Sequence, residues 1–134
     1  MRQDIKGTTE IYPALEGDRR EIETAAGKLS YYVAGRGAPM LLIHSVNAAA
    51  SAYEVGPIFD HERKRRRVYA VDLPGFGFSD RSARNYTVEL FTHAVLAMLS
   101  EIASEAGPEP LDALALSLSS EFLARAALRR GERI

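Results

Sequence analysis

A serine stands where an apolar segment gives way to a helical one. Residues 111–116 are apolar apart from Asp112, and Ser117 follows directly. A serine on a sharp turn between a strand and a helix exposes its Oγ atom, which suits nucleophilic attack on an acyl carbon. Such a turn needs small residues two positions before and after the serine, where this chain has Ala115 and Ser119. The usual glycines are absent, so the local sequence leaves two interpretations open: a nucleophile on a strained turn, or a serine that caps the following helix.

Two other segments rich in polar residues or glycine also follow apolar runs. His44-Ser45-Val46-Asn47 comes after residues 40–43, and the pattern D-x-P-G-x-G-x-S at residues 72–79 comes after residues 68–71. Ligands of parallel sheets bind beyond the carboxyl ends of the strands, so we expect these segments and the serine to meet at one edge. The D-x-P-G string also occurs in nucleotide-binding proteins, but these need a G-x-x-x-x-G-K-[ST] loop, which this sequence lacks.

The elements that position these residues follow from the hydrophobic pattern. We predict a β-hairpin from residues 21–24 and 29–33, three buried strands at residues 40–43, 68–71 and 111–116, and helices at residues 48–58, 88–106 and 119–130. Thr87 is a suitable N-cap for the middle helix, Tyr86 and Phe91 form a hydrophobic staple, and Gly107 ends the helix. The alternation predicts an α/β fold with a mostly parallel sheet and an N-terminal antiparallel hairpin. Residues 1–20 are expected to be an extended lead-in, and residues 21–134 to form the domain.

The composition narrows the function classes. The 134 residues include 17 basic and 18 acidic side chains, so the net charge gives no drive toward nucleic acid or anionic membranes. We interpret the basic run at residues 63–67 as a solvated connector and expect no nucleic-acid partner. The absence of cysteine excludes disulfides and thiol catalysis. No apolar run reaches the roughly 20 residues of a membrane span, and no apolar signal follows the N-terminus, so we expect no membrane partner and a cytoplasmic location.

In this order and spacing, the three segments resemble the α/β-hydrolase fold family over about residues 20–134. The resemblance implies that Ser117 is the nucleophile and that the backbone N–H groups of Val46 and Leu118 bind the oxyanion. It also implies a structural role for His44, which orients its loop, although a catalytic base is the alternative for this residue. The family usually has glycine where this chain has Ser45.

The resemblance extends to the chemistry. It implies a small-molecule acyl substrate (an ester, a thioester or a related compound) and no cofactor. Asn47 lies in the loop near the site, and with Tyr53 and Phe76 it is a candidate to line the substrate pocket. A serine rather than an aspartate on the turn argues against haloalkane dehalogenase or epoxide hydrolase chemistry.

The sequence lacks the remaining members of a catalytic triad. In the family, the acid and the histidine follow the nucleophile, but all three histidines of this chain precede Ser117. We therefore expect the N-terminal part of a longer hydrolase, truncated after the helix that follows the serine, with residues 131–134 turning into a further strand. The strand at 111–116 is then a bare edge through which the chain could self-associate. A non-catalytic binding module and an inactive fragment are the alternatives.

Overall fold

Strands and helices alternate along most of the chain. A computed structural model describes residues 12–130 and, in addition, the backbone of residues 2–3 and 9–10. The strands are β1 (Arg2–Gln3), β2 (Thr9–Glu10), β3 (Asp18–Thr24), β4 (Gly27–Ala34), β5 (Pro39–Ile43), β6 (Arg67–Asp72) and β7 (Asp112–Ala115). The helices are a short 3₁₀-helix (Ala52–Val55), α1 (Gly56–Glu62), α2 (Val88–Ala106) and α3 (Ser119–Arg129). Strands β1 and β2 pair only with each other, whereas the other five form one sheet.

The five-stranded sheet has the order β3-β4-β6-β5-β7. Strands β3 and β4 form the antiparallel hairpin, β4 is also antiparallel to β6, and β5 is parallel to both β6 and β7. The predicted α/β class and the N-terminal antiparallel hairpin are confirmed, whereas the sheet is mixed and not mostly parallel: two of its strand pairs are parallel and two are antiparallel. Because β5, β6 and β7 run in the same direction, their carboxyl ends lie at one edge of the sheet, and the three segments singled out in the sequence begin there.

Helices cover both faces of the sheet. Alternate residues of β5 point to opposite sides: Leu41 and Ile43 pack in the cluster formed with α2 and α3, whereas Leu42 packs in the cluster formed with α1. A strand buried on both faces needs apolar side chains at every position, which is why β5 and β6 read as unbroken apolar runs.

Helix α2 begins and ends at the predicted residues. The Thr87 side chain accepts a hydrogen bond from the Leu90 N–H group at 3.1 Å, and Gly107 follows the last turn with φ of 96°. The rings of Tyr86 and Phe91 stack with their centroids 6.3 Å apart. The cap, the staple and the glycine stop are thus all present.

The predicted helix at residues 48–58 is wrong. Residues 48–51 form a loop, the Ser51 side chain caps the 3₁₀-helix by accepting the Tyr53 N–H group, and α1 begins at Gly56. Pro57 lies in the first turn of α1, where a residue without an N–H group costs the helix no hydrogen bond.

The two edges of the sheet differ in charge. Strand β3 carries five charged residues in seven, whereas β7 carries only Asp112, which pairs with Arg66. Within residues 12–130, no strand pairs with the outer side of β7, so the predicted bare edge is confirmed for this part of the chain. Self-association through that edge stays a prediction.

The chain termini and the basic run at residues 63–67 were also the subject of predictions. The predicted turn at residues 131–134 lies outside the described residues, as does most of residues 1–11, and β3 begins three residues before the predicted strand. In the basic run, Arg65 and Arg66 pair with Glu62, and Arg67 pairs with Glu105, so acidic groups of the same chain meet these charges. None of the helices described here is long and apolar enough to cross a bilayer.

Candidate active site

Ser117 lies on a strained turn between β7 and α3. Its φ angle is 53°, and no other non-glycine residue in the described part of the chain has a positive φ. The left-handed conformation costs a residue with a Cβ atom about 1–2 kcal/mol, and such strain concentrates at functional sites. The serine is exposed, and its hydroxyl makes no hydrogen bond to any described residue. The turn therefore presents an unengaged Oγ atom at the carboxyl end of β7.

Two hydrogen bonds hold this turn beside the loop that follows β5. The Leu116 N–H group donates to the Ile43 carbonyl at 3.1 Å, and the hydroxyl of Ser119 donates to the His44 carbonyl at 2.5 Å. Ser119 is fully buried. A glycine, the usual residue at this position of the turn, could not make the second bond. The serine thus keeps the start of α3 close to β5 and adds a polar tether between them.

The two N–H groups predicted to bind an oxyanion are both unengaged. Neither the Val46 nor the Leu118 N–H group donates to an acceptor among the described residues. Leu118 is the N-cap of α3, where backbone N–H groups have no partner inside the helix and the helix dipole favours negative charge. Because the Ser119 tether joins the two loops, both groups belong to the same edge of the sheet. Their role as oxyanion donors stays a prediction.

His44 connects the loops that follow β5 and β6. It is fully buried; Nε2 accepts the Leu73 N–H group at 2.9 Å, and Nδ1 lies 2.6 Å from the Ser45 carbonyl, to which it donates. Burial lowers the pKa of His44 and favours the neutral imidazole. Both nitrogens are occupied, so no free nitrogen remains to take a proton from Ser117. The arrangement is that of a histidine that positions loops.

A polar cluster that sequence reasoning missed fixes the loop of Val46. The Glu54 carboxylate accepts the Ser45 N–H group at 2.9 Å and the Ser45 hydroxyl at 2.7 Å, and the Asn47 amide donates to the same hydroxyl at 2.8 Å. Partial burial opposes ionisation of Glu54, but the hydrogen bonds from Ser45 outweigh it and lower the pKa. Ser45, which replaces the family's glycine, is therefore an anchor of the loop. The acidic residue nine positions later was its only sequence signal.

The D-x-P-G-x-G-x-S segment is held by a buried carboxylate. Asp72 accepts the N–H groups of Ala52 and Phe78, and burial raises the pKa of this residue. Gly77 has φ of 52°, and a Cβ atom there would lie 2.2 Å from the Asp72 carboxyl carbon. Ser79 donates its hydroxyl to the Asp72 carbonyl. These residues shape the loop and do not carry a reacting group.

A cavity of about 490 Å³ opens beside Val46. Its walls are Val46, Gly75, Phe76, Arg81, Tyr86 and Phe91. Asn47, Tyr53 and Phe76 were predicted to line the substrate pocket, and of these only Phe76 lines this cavity. The Asn47 side chain hydrogen-bonds within its own loop, and Tyr53 lines a separate depression next to α1. Across residues 12–130, no cluster of His, Asp or Glu side chains is arranged to hold a metal ion.

The structure places no base or acid next to Ser117. His61 lies beside Glu62, and His93 lies 3.0 Å from Glu89 on the surface of α2. Glu121, the one described acidic residue after the serine, pairs with Arg125. The part of the chain that the structure covers therefore places an exposed serine hydroxyl and two unengaged N–H groups at this edge of the sheet, with no histidine or carboxylate beside the hydroxyl.

Comparison with known proteins gives one curated relative and many similar structures. The chain is 28% identical over 116 residues to a 2-hydroxymuconate semialdehyde hydrolase of Pseudomonas putida, which amounts to 86% of this chain and 40% of that protein. No family model matches the chain.

Two solved structures that are similar to this chain are also hydrolases, and the chain again matches only part of their length. A meta-cleavage product hydrolase from Pseudomonas fluorescens superposes with a TM-score of 0.73 at 28% identity, over 85% of this chain and 41% of the other. An epoxide hydrolase from Vigna radiata superposes with a TM-score of 0.76 at 19% identity, over 87% and 37% respectively. At that identity the second likeness concerns the fold alone. The chain spans about two fifths of the length of these relatives.

Proposed function

Because the chain has the α/β-hydrolase fold, we propose that it carries the nucleophile and the oxyanion-binding groups of a serine hydrolase that cleaves an ester, a thioester or a related acyl bond. The observation that carries the proposal is the left-handed conformation of Ser117, which holds a free hydroxyl at the carboxyl end of β7. The unengaged N–H groups of Val46 and Leu118 and the hydrolase names of the relatives support it.

The proposed reaction has two acyl-transfer steps. The Ser117 oxygen attacks the substrate carbonyl carbon while its proton passes to a base, and the oxyanion that forms accepts hydrogen bonds from the Val46 and Leu118 N–H groups. Collapse of this intermediate breaks the bond to the alcohol or thiol, which leaves with the proton, and an acyl-serine remains. Water then attacks the acyl carbon by the same route, the bond from that carbon to the Ser117 oxygen breaks, and the carboxylic acid leaves as the serine hydroxyl is regenerated. Removing one such donor typically costs a few kcal/mol of transition-state stabilisation.

The base and the acid of this site are proposed to come from polypeptide outside these 134 residues. All three histidines lie in the described part of the chain and none reaches Ser117, because His44 is buried with both nitrogens engaged and the other two pair with glutamates on helix surfaces. The relatives are about two and a half times as long as the matched region. A catalytic unit would then form only when the remaining groups are supplied.

Labelling with a fluorophosphonate tests the proposal. Such a probe reacts with activated serines, so the chain should be labelled slowly at Ser117, Ser117→Ala should abolish labelling, and Ser120→Ala should not change it. Ser120 is a matched control because it is also an exposed serine at the start of α3. Added imidazole supplies a soluble base, and we expect it to raise the labelling rate of the parent chain in proportion to its concentration but to leave Ser117→Ala unlabelled.

A binding module without catalysis is the second candidate, and the absence of a base near Ser117 favours it. The same experiment separates the two. If no labelling of Ser117 occurs even with imidazole present, the hydroxyl is not a nucleophile and the hydrolase proposal fails.

A further inference from the structure

The cavity beside Val46 has a single charged residue in its wall. Arg81 follows the D-x-P-G-x-G-x-S segment and shares the cavity with aliphatic and aromatic groups, among them Phe76 and Phe91. Ligand sites are typically mostly apolar with a few polar groups that fix orientation. The composition of this wall therefore suits a molecule with an apolar body and one anionic group.

Arg81 forms no ion pair within residues 12–130, although its charge acts on the buried Asp72 carboxylate from beyond ion-pair distance. The adjacent carboxylate, Asp80, is occupied by the Ser82 N–H group at 2.8 Å and by Arg84 at 3.7 Å. The other nearby carboxylate, Asp72, is fully buried and already accepts two backbone N–H groups. Among residues 12–130, Arg81 makes neither a hydrogen bond nor an ion pair. Arg81 is exposed, and its guanidinium N–H groups have no acceptor among these residues, so they can donate to a ligand.

Two other cations share this lack of partners, but they lie at the opposite end of the sheet. Arg36 is in the loop between β4 and β5, and Lys64 is in the connection from α1 to β6. Both segments lead into the amino ends of the parallel strands, whereas the proposed chemistry lies at their carboxyl ends. An unpaired cation at the candidate site is therefore specific to Arg81, and Arg36 provides a matched control.

We propose that Arg81 binds a carboxylate of the substrate, so that the acyl compound carries a free acid group on an apolar body. As an assignment of substrate class this rests on the proposed function. The planar guanidinium donates two parallel hydrogen bonds to a carboxylate. Val46 belongs both to the cavity wall and to the proposed oxyanion-binding pair. A substrate whose carbonyl oxygen meets the Val46 N–H group therefore extends along the wall that Arg81 completes.

Binding of an isosteric pair of probes tests this assignment without any reaction at Ser117. Phenylacetate and phenylacetamide have the same shape and differ in charge, and both are small enough for the cavity. Their affinities for the full 134-residue Ser117→Ala chain can be measured by NMR titration, from the backbone amide shifts of Gly75 and Phe76. We expect phenylacetate to bind about five- to tenfold more tightly, the advantage of a charged hydrogen bond at a solvent-accessible site.

The variants decide the result. Arg81→Gln should reduce the preference for phenylacetate to about one, Arg36→Gln should leave it unchanged, and 0.5 M salt should weaken it in the parent chain. Equal binding of the two probes, a preference that survives Arg81→Gln, or no binding of either probe would overturn the assignment. The two proposals can fail separately. If the chain prefers phenylacetate but Ser117 is never labelled by the fluorophosphonate, Arg81 is still an anion-binding residue and only the proposed hydrolase function is refuted.

Discussion

Ser117 offers a direct test of the strained turn. The left-handed conformation at φ of 53° costs a residue with a Cβ atom about 1–2 kcal/mol. Glycine avoids that cost but gives the unfolded chain extra freedom worth about 0.4–1 kcal/mol. Alanine keeps the strain of the left-handed conformation. The Ser117 hydroxyl makes no hydrogen bond in the described structure, so removing the hydroxyl loses no hydrogen bond. We therefore expect Ser117→Ala to match the parent chain and Ser117→Gly to be more stable than both by about 1 kcal/mol.

Urea unfolding followed by circular dichroism measures this difference. With a slope of about 2 kcal/mol per M, the Ser117→Gly midpoint should lie about 0.5 M above that of Ser117→Ala. Ser100 is exposed in the middle of α2, and Ser100→Gly should instead lower stability by about 0.5 kcal/mol because glycine is a poorer helix former. If Ser117→Gly is no more stable than Ser117→Ala, the backbone at this turn is not strained and the structural argument for a nucleophile is lost.

Three further predictions concern the loops and the sheet edge. Gly77→Ala should lower the free energy of unfolding by about 3 kcal/mol or more in chemical unfolding, because the new Cβ atom would overlap the buried Asp72 carboxyl group. Gly107 also has a positive φ but has open space around it, so Gly107→Ala should lower the free energy of unfolding by only about 1 kcal/mol. Equal losses would contradict the contact with Asp72. His44 has a lowered pKa, so its contribution to stability is complete above about pH 6.5 and is lost as the pH falls below that value, with a slope of up to about 1.4 kcal/mol per pH unit. His44→Gln should flatten the dependence of unfolding free energy on pH as the pH falls below about 6.5; a slope unchanged by His44→Gln would show that another group causes it. Finally, the chain should self-associate through β7 at high concentration in sedimentation experiments. Ala113→Pro should suppress this association, because Ala113 is one of the alternate residues of β7 whose N–H groups point away from β5. A parent chain that is monomeric at every concentration would rule out pairing through this edge.

Local signals explain why much of the fold could be predicted from the sequence. The apolar runs of β5 and β6 indicate burial on both faces of the sheet. Thr87 and Gly107 lie directly next to the ends of α2 in the sequence, so the local residues indicate where the helix begins and ends. The helix predicted at residues 48–58 was wrong because proline occurs in the first turn of a helix as well as after its end. In addition, the Ala52 N–H group donates to Asp72, which lies 20 residues further along the chain.

The candidate site divides in the same way. The local pattern of Ser117 and its small neighbours left a strained turn and a helix cap as alternatives, and the left-handed φ angle agrees with the strained turn. The anchor of Ser45 on Glu54 and the cavity wall at Arg81 depend on loops brought together by the sheet. Such contacts join residues from separate elements, and no spacing rule in a single sequence reveals them.

The central claim is that the Ser117 hydroxyl attacks acyl groups. The most direct measurement is mass spectrometry of the chain after incubation with p-nitrophenyl acetate and imidazole, followed by peptide mapping of the adduct. The account predicts an acetyl group on Ser117 that is absent from Ser117→Ala, above a background on lysine and tyrosine side chains that is equal in the two chains. No acetyl group on Ser117, or the same total amount of adduct in Ser117→Ala, would contradict it.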